Sequence, residues 1–313
     1  MNYPRILIVA LLGFCMAACN SRVVPMNSRS EIAPSAADRS GVALVPGIRT
    51  GLISNIQYGE AGGEKLLLDA HVPEGAGPFP MVILIHGGGW SGGDREKEFK
   101  VMFEPLSKAD FTWFSIDYRL APKNRWPACF DDLQTSIRWV KLHAADFKGD
   151  PTRLALMGYS AGGHLAFLSA ATGGPDVRVQ ALVGFSPPTD LELDLPARGG
   201  LSPSLQNLLG MPHLLTDASR QKLHDISAIN HLSKDFPPTL IVQGSADKSV
   251  PYQGSLNFIA KLKELGVAAA LITIPGAGHN IALWHTFDES YKAKAVDWLR
   301  KTMGAPTTRA TAG

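Results

Sequence analysis

The runs LALMG (154–158) and TLIVQG (239–244) are apolar at consecutive positions rather than at alternate ones. Successive side chains on a strand point to opposite faces, so strands of this kind must be buried on both. That requires helices over both faces of a sheet, and a sheet covered in this way is built mainly of parallel strands. The rest of the chain supplies the parts. Strands are predicted at 52–58, 65–72, 81–86, 111–117, 153–158, 180–185, 238–243 and 269–274, with helices at 130–147, 161–171, 255–266 and 286–303. In the first of these helices Leu133, Ile137, Val140 and Leu142 fall near helical spacing. The expected fold is α/β, a mainly parallel central sheet of about eight strands flanked by helices. The first two strands alternate more and meet at a glycine turn, Gly62-Gly63, so they are expected to be antiparallel.

Around this core the chain divides unevenly. Residues 1–19 carry one basic side chain, Arg5, an apolar stretch too short to span a bilayer, and small residues before Cys19. This pattern predicts a secretory leader. Cys19 after Ala17-Ala18 resembles a bacterial lipobox, although Met16 stands where leucine is usual. The resemblance implies an exported protein lipid-anchored through Cys19, at the outer membrane because Asn20 follows, with a plain periplasmic or secreted form as the alternative. Residues 20–50 lack periodicity and are expected to form a flexible tether; 51–303 form the folded domain and 304–313 a tail. Between two predicted strands, residues 190–236 are far longer than one crossover helix. Leu201, Leu205, Leu208, Leu209, Leu214 and Leu215 argue that this insertion packs, as a small cap over one end of the sheet. The chain has three cysteines, of which Cys129 is left without an intrachain partner if Cys19 is acylated, so no disulfide is expected.

The chemistry gathers where strands end. Gly158-Tyr159-Ser160-Ala161-Gly162 lies between a buried strand and a helix, the setting in which G-x-S-x-G lifts a serine hydroxyl out of a sheet on a sharp turn. Asp247 follows the strand at 238–243, and His279 follows the strand at 269–274. All three come at the same edge of a parallel sheet, where ligands bind in open α/β folds. They suit a nucleophile, Ser160, a base, His279, and an orienting acid, Asp247, with Asp190 as a less suitable acid. The stretch His86-Gly87-Gly88-Gly89-Trp90 ends an earlier strand. Glycines there let backbone N–H groups approach an oxyanion, so Gly88, Gly89 and Ala161 are the expected donors. His86 is expected to brace that loop, and Trp90 and Tyr159 to contact substrate, although core packing explains Trp90 equally well. His164 lies on the helix after the turn and is expected to pack.

Other classes lack support in the sequence. No HExxH and no paired Cys/His spacing is present, so no metal is expected. No dinucleotide cofactor is expected either. A formal charge of +2 without a Lys/Arg run gives no reason to expect nucleic acid.

In HGGGW (86–90), DYRLAP (117–122), GYSAGGHLA (158–166), GSAD (244–247) and GAGHN (276–280) the chain resembles the α/β-hydrolase serine esterases. The likeness is to the hormone-sensitive-lipase-like and acetylxylan/feruloyl-esterase-like groups. DYRLAP looks like the first group, while Tyr159 stands where that group has aspartate and leans toward the second. The resemblance implies hydrolysis of carboxylic esters through an acyl-enzyme, without a cofactor. The expected substrates are short-chain acyl or aromatic esters, on a small molecule or a carbohydrate. An amidase or peptidase of the same fold, and a lipid-anchored binding module with an inert triad, are the alternatives.

Overall fold

The computed structural model describes residues 50–97 and 99–304. The leader with Cys19, the tether up to residue 49 and the tail from residue 305 lie outside the described residues. Eight strands form one sheet: β1 (Gly51–Ala61), β2 (Glu64–Val72), β3 (Phe79–Ile85), β4 (Thr112–Ile116), β5 (Gly149–Tyr159), β6 (Ala181–Phe185), β7 (Thr239–Gly244) and β8 (Ala269–Ile274), in spatial order β1-β2-β4-β3-β5-β6-β7-β8. β2 pairs antiparallel with both β1 and β4, and every other pairing is parallel. The mainly parallel eight-stranded sheet is therefore as the apolar runs required.

Consecutive residues of the central strands feed two different cores. Met81, Ile83 and Ile85 of β3 join one cluster, and Val82 and Leu84 join the other. The first cluster is closed by α2 (Ala128–Leu142), α3 (Ala161–Thr172) and α7 (Tyr252–Glu264), through Leu133, Ile137, Leu165, Phe258 and Leu262. The second is closed by α1 (Phe103–Ser107) and α8 (Tyr291–Met303), through Leu106, Tyr291 and Leu299. Two helices are shorter than the sequence predicts. α2 stops at Leu142, because His143 leaves helical geometry and a 3-10 turn (Ala144–Phe147) carries Ala144 and Phe147 into the core. The expected 286–303 helix begins only at Tyr291, after a 3-10 turn over Ile281–Thr286. Asp288 accepts the Ser290 N–H at 2.8 Å, a local bond that competes with the helical ladder. α1 has five residues, too few to show a period.

The 190–236 insertion contains α4 (Leu195–Arg198), α5 (Pro203–Leu209) and α6 (Asp217–Asp225). Ser202 caps α5 with Pro203 in its first turn, and Thr216 with Ser219 forms a capping box on α6. Leu201, Leu205 and Leu208 are buried as expected, but Leu214 is 72% exposed at the surface. The insertion is tied to the body by backbone as well as by apolar contact. Trp126 N–H donates to the Leu208 carbonyl at 2.9 Å, and Ile229 N–H to the Thr189 carbonyl at 3.1 Å.

Register brings the strand ends into line. Ile85 pairs with Gly158, Tyr159 with Phe185, Phe185 with Val242, and Gly244 with Ile274. The loops after β3, β5, β6, β7 and β8 thus leave the same edge. Two glycines allow β5, β3 and α3 to approach there. A Cβ on Gly162 would lie 2.2 Å from the Ile85 carbonyl oxygen, and one on Gly158 would lie 2.4 Å from that of Gly162.

Two predictions follow from this packing. Gly162→Ala should force β3 and α3 apart and destabilise the protein by about 3 kcal/mol or more. Chemical denaturation reads this directly, and a loss below about 1 kcal/mol would contradict the contact. His164 on α3 is fully buried, and burial pushes its imidazole down to about 4. The unfolded chain binds a proton there between its ordinary value near 6.5 and 4, and the native chain does not. Stability should therefore be full at pH 7 and fall as pH drops through that window, by about 3 kcal/mol from this residue. Unfolding of wild type and His164→Asn at pH 7 and pH 4 should show a shallower fall in the variant; equal falls would refute the assignment.

Candidate active site

The elbow between β5 and α3 forces Ser160 into an uncommon backbone conformation, with φ of +50° and ψ of −118°. Two backbone bonds hold it there. Ser160 N–H donates to the Phe185 carbonyl at 2.9 Å, and its own carbonyl accepts the His164 N–H at 3.0 Å. Strain of this kind, worth on the order of 1–3 kcal/mol, persists where the surroundings over-determine it and is concentrated at functional sites.

From Ser160 a hydrogen-bond chain runs across the strand ends. Ser160 Oγ–H donates to His279 Nε2 at 2.9 Å, and His279 Nδ1–H donates to Asp247 Oδ2 at 2.8 Å. The carboxylate of Asp247 has no solvent exposure. Its other oxygen accepts the Ser249 and Val250 N–H groups at 2.9 and 3.0 Å. Burial on its own would raise this carboxyl, but the bonds from His279 and Val250 outweigh it and hold the group below the ordinary carboxylate range. Asp247 is therefore ionised and can stabilise a positive charge on His279. Asp190, the other acid considered from sequence, accepts the Glu192 N–H instead at 3.0 Å.

The loop after β3 faces the same point. Gly88, Gly89 and Ala161 border a cavity of about 470 Å³ together with Ser160 and His279. Gly88 and Gly89 have φ of +98° and +59°, which only glycine adopts without cost. Tyr118 fixes the start of the loop, its hydroxyl donating to the His86 and Gly87 carbonyls at 3.1 and 3.2 Å. The His86 ring stacks on Tyr118 at 4.2 Å, and its Nδ1–H donates to the Gly87 carbonyl at 2.8 Å. Burial pushes the His86 imidazole down and favours this neutral form. Arg95 secures the far side of the loop, pairing with Asp69 at 3.0 Å and closely with Asp117.

Trp90 and Tyr159 also border the cavity, and each has its polar atom engaged elsewhere. Trp90 Nε1–H donates to His164, and Tyr159 Oη–H donates to the His279 carbonyl at 2.9 Å while its ring stacks on His279 at 5.3 Å. What they offer a ligand is ring surface. The cavity is divided in character. Leu191, Leu205, Val250 and Pro251 lie with these rings, while Asp190, Asp194, Arg198, Ser202, Ser204 and Lys248 supply polar groups. Arg198 is held in a close ion pair by Asp194, one turn earlier.

Gln243, Tyr118, Asp194 and Arg198 carry no role assigned from the sequence. Gln243 donates to Asp247 at 3.3 Å and to the Val250 carbonyl at 2.9 Å. Its signal is a polar residue inside the otherwise apolar run TLIVQG. Tyr118 lies in DYRLAP, and Asp194 with Arg198 shows as an i,i+4 pair of opposite charge. Among the described residues no group of three or more His, Cys, Asp or Glu side chains is disposed to hold a metal.

Comparison with known proteins agrees with this architecture. Esterase LipC of Mycobacterium tuberculosis is 30% identical over 219 residues, covering 66% of this chain and 54% of LipC. Esterase LipQ of the same organism is 28% identical over 291 residues, 87% of this chain and 68% of LipQ. The chain spans little more than half the length of LipC and of some other curated relatives. A truncated form of a carbohydrate esterase from gut microbiota superposes with a TM-score of 0.71 at 25% identity, over 82% of this chain and 97% of that one. The BD-FAE family model matches residues 68–262, more than half of the chain. By that match and by its mainly parallel sheet with an elbow at Ser160, the chain belongs to the BD-FAE family and has the α/β-hydrolase fold.

Proposed function

We propose that this protein is a serine carboxylic ester hydrolase that works through an acyl-enzyme. The observation that carries the proposal is the unbroken chain from Ser160 through His279 to Asp247, at a cavity bordered by Gly88, Gly89 and Ala161. Ser160 Oγ attacks the ester carbonyl while its proton passes to His279 Nε2. Asp247 keeps the imidazole in the tautomer that can accept that proton and stabilises the resulting imidazolium. The Ala161, Gly88 and Gly89 N–H groups meet the negative oxygen of the tetrahedral intermediate, each worth about 3 kcal/mol of barrier. Collapse expels the alcohol, which takes the proton from His279. Water then repeats the sequence on the acyl-Ser160 ester and releases the acid.

The cavity favours a short acyl or aromatic group on a polar alcohol. Its volume of about 470 Å³ suits a small ligand rather than a long chain. The rings of Trp90 and Tyr159 suit the acyl side, and the Asp194–Arg198 pair with Ser202 and Ser204 suits hydroxyl groups on the leaving side. Likeness to esterases, and to a carbohydrate esterase among solved structures, supports the same reading. A substrate of this kind is met outside the cell, which fits export with a lipid anchor on Cys19.

Initial rates on p-nitrophenyl esters from acetyl to palmitoyl, and acetate release from acetylated xylo-oligosaccharides, test the function. Activity should peak at acetyl or butyryl and fall at least about 1,000-fold in Ser160→Ala and in Asp247→Asn. Equal rates in wild type and Ser160→Ala would end the assignment, and a maximum at palmitoyl would end the short-acyl reading. Mass spectrometry of the N-terminal peptide from membranes should find acylated Cys19 as the first residue; an unmodified residue there excludes the anchor.

A further inference from the structure

His164 sits four residues beyond Ser160, wholly buried, and takes no part in the proton transfers described above. Both of its ring nitrogens are used. Nδ1 accepts the Trp90 indole N–H at 3.3 Å, and Nε2–H donates to the Ile226 carbonyl at 2.8 Å. One nitrogen accepts and the other donates, so the ring is neutral with its proton on Nε2. Burial supports this state by pushing the imidazole down to about 4.

The two partners belong to different parts of the site. Ile226 follows α6 in the 190–236 insertion. Trp90 ends a run of three left-handed residues, with φ of +98° at Gly88, +59° at Gly89 and +58° at Trp90. A tryptophan in that region is strained and keeps the conformation only where its surroundings enforce it. Two hydrogen bonds do so: the indole to His164, and the Trp90 carbonyl accepting the Ala121 N–H at 2.8 Å. The insertion also touches the loop directly, since a Cβ on Gly89 would lie 2.6 Å from Ser204 Oγ.

We propose that His164 is a positioning residue: its Nδ1 holds Trp90, and through it the Gly88–Gly89 donors, in place for the oxyanion, while its Nε2–H separately ties the same ring to the 190–236 cap. This rests on the reading of Gly88 and Gly89 as oxyanion donors. Losing the indole's acceptor strands a buried N–H and removes one of the two bonds that enforce the Trp90 backbone. The donors then drift from the position that the oxyanion occupies, which weakens transition-state binding more than ground-state binding. Losing the bond to Ile226 loosens the cap while Trp90 keeps its acceptor.

Two substitutions separate these effects. An asparagine amide oxygen stands about where Nδ1 does, and a glutamine amide about where Nε2 does. His164→Asn therefore keeps the acceptor for Trp90, and His164→Gln keeps the bond to Ile226. On p-nitrophenyl acetate, His164→Gln should lose about 10- to 100-fold in kcat with KM within about two-fold of wild type. His164→Asn should keep kcat within about three-fold of wild type and show its defect in KM and in faster proteolysis within 190–236. Trp90→Phe, which removes the indole N–H and keeps a ring, should reproduce the glutamine loss. The double variant should be no slower than either single one, as expected for two partners of one bond. The positioning role is refuted if kcat is unchanged in Trp90→Phe, if the asparagine and glutamine variants lose kcat alike, or if the losses multiply in the double variant. Should His164→Gln fail to fold, Trp90→Phe and His164→Asn decide the matter alone. An inactive wild type would overturn the esterase reading, whereas an active wild type with unaltered variants overturns the positioning role only.

Discussion

The contact between the Ser160 elbow and β3 governs the geometry of everything around it. Gly162 lies so close to the Ile85 and His86 carbonyl oxygens that a methyl group could not be accommodated between them. That closeness sets where α3 starts and therefore where Ser160 and the Ala161 N–H point. It also sets how far the Gly88–Gly89 stretch stands from them, because that stretch begins two residues beyond His86. The parallel register between β3 and β5, with Ile85 opposite Gly158, repeats the same alignment along the strands. Ser160 and the loop are thus placed by one piece of backbone packing, and the side chains refine it.

A second layer holds the polar parts in place without using them in chemistry. Gln243 and the Ser249 and Val250 N–H groups hold the Asp247 carboxylate, so this buried charge has hydrogen bonds that do not depend on His279. Tyr159 fixes His279 from the opposite side through its carbonyl. Tyr118 and Arg95 secure the two ends of the glycine loop. The site tolerates little slack because each of its moving groups is bounded by at least one buried partner on a different strand or helix.

Much of this was legible in the sequence because the signals were local. Unbroken apolar runs announced strands buried on both faces, and the strand–turn–helix setting of GYSAG announced the elbow. Asp247 and His279 stood out because each follows a predicted strand across a short turn. What the sequence withheld was pairing across distance. Nothing local to His164 tells that its two nitrogens join Trp90 to Ile226, residues 136 positions apart in the chain (226 − 90). Helix ends were misjudged where a local bond or turn overrode periodicity, as at His143 and Asp288. Leu214 was expected inside because apolar spacing alone does not show which face of a short cap meets the body.

The polar wall of the cavity has a bearing on how substrates arrive. It presents Asp190 and Asp194 beside Arg198 and Lys248, two charges of each sign within one small opening. These four side chains sum to no net charge, and the whole chain carries a formal charge of only +2. A cleft of this kind casts no long-range field to draw in an acidic or basic molecule. Encounter with a ligand is left to unassisted diffusion, and selection happens at contact. Such an entrance works alike in dilute and in salty surroundings.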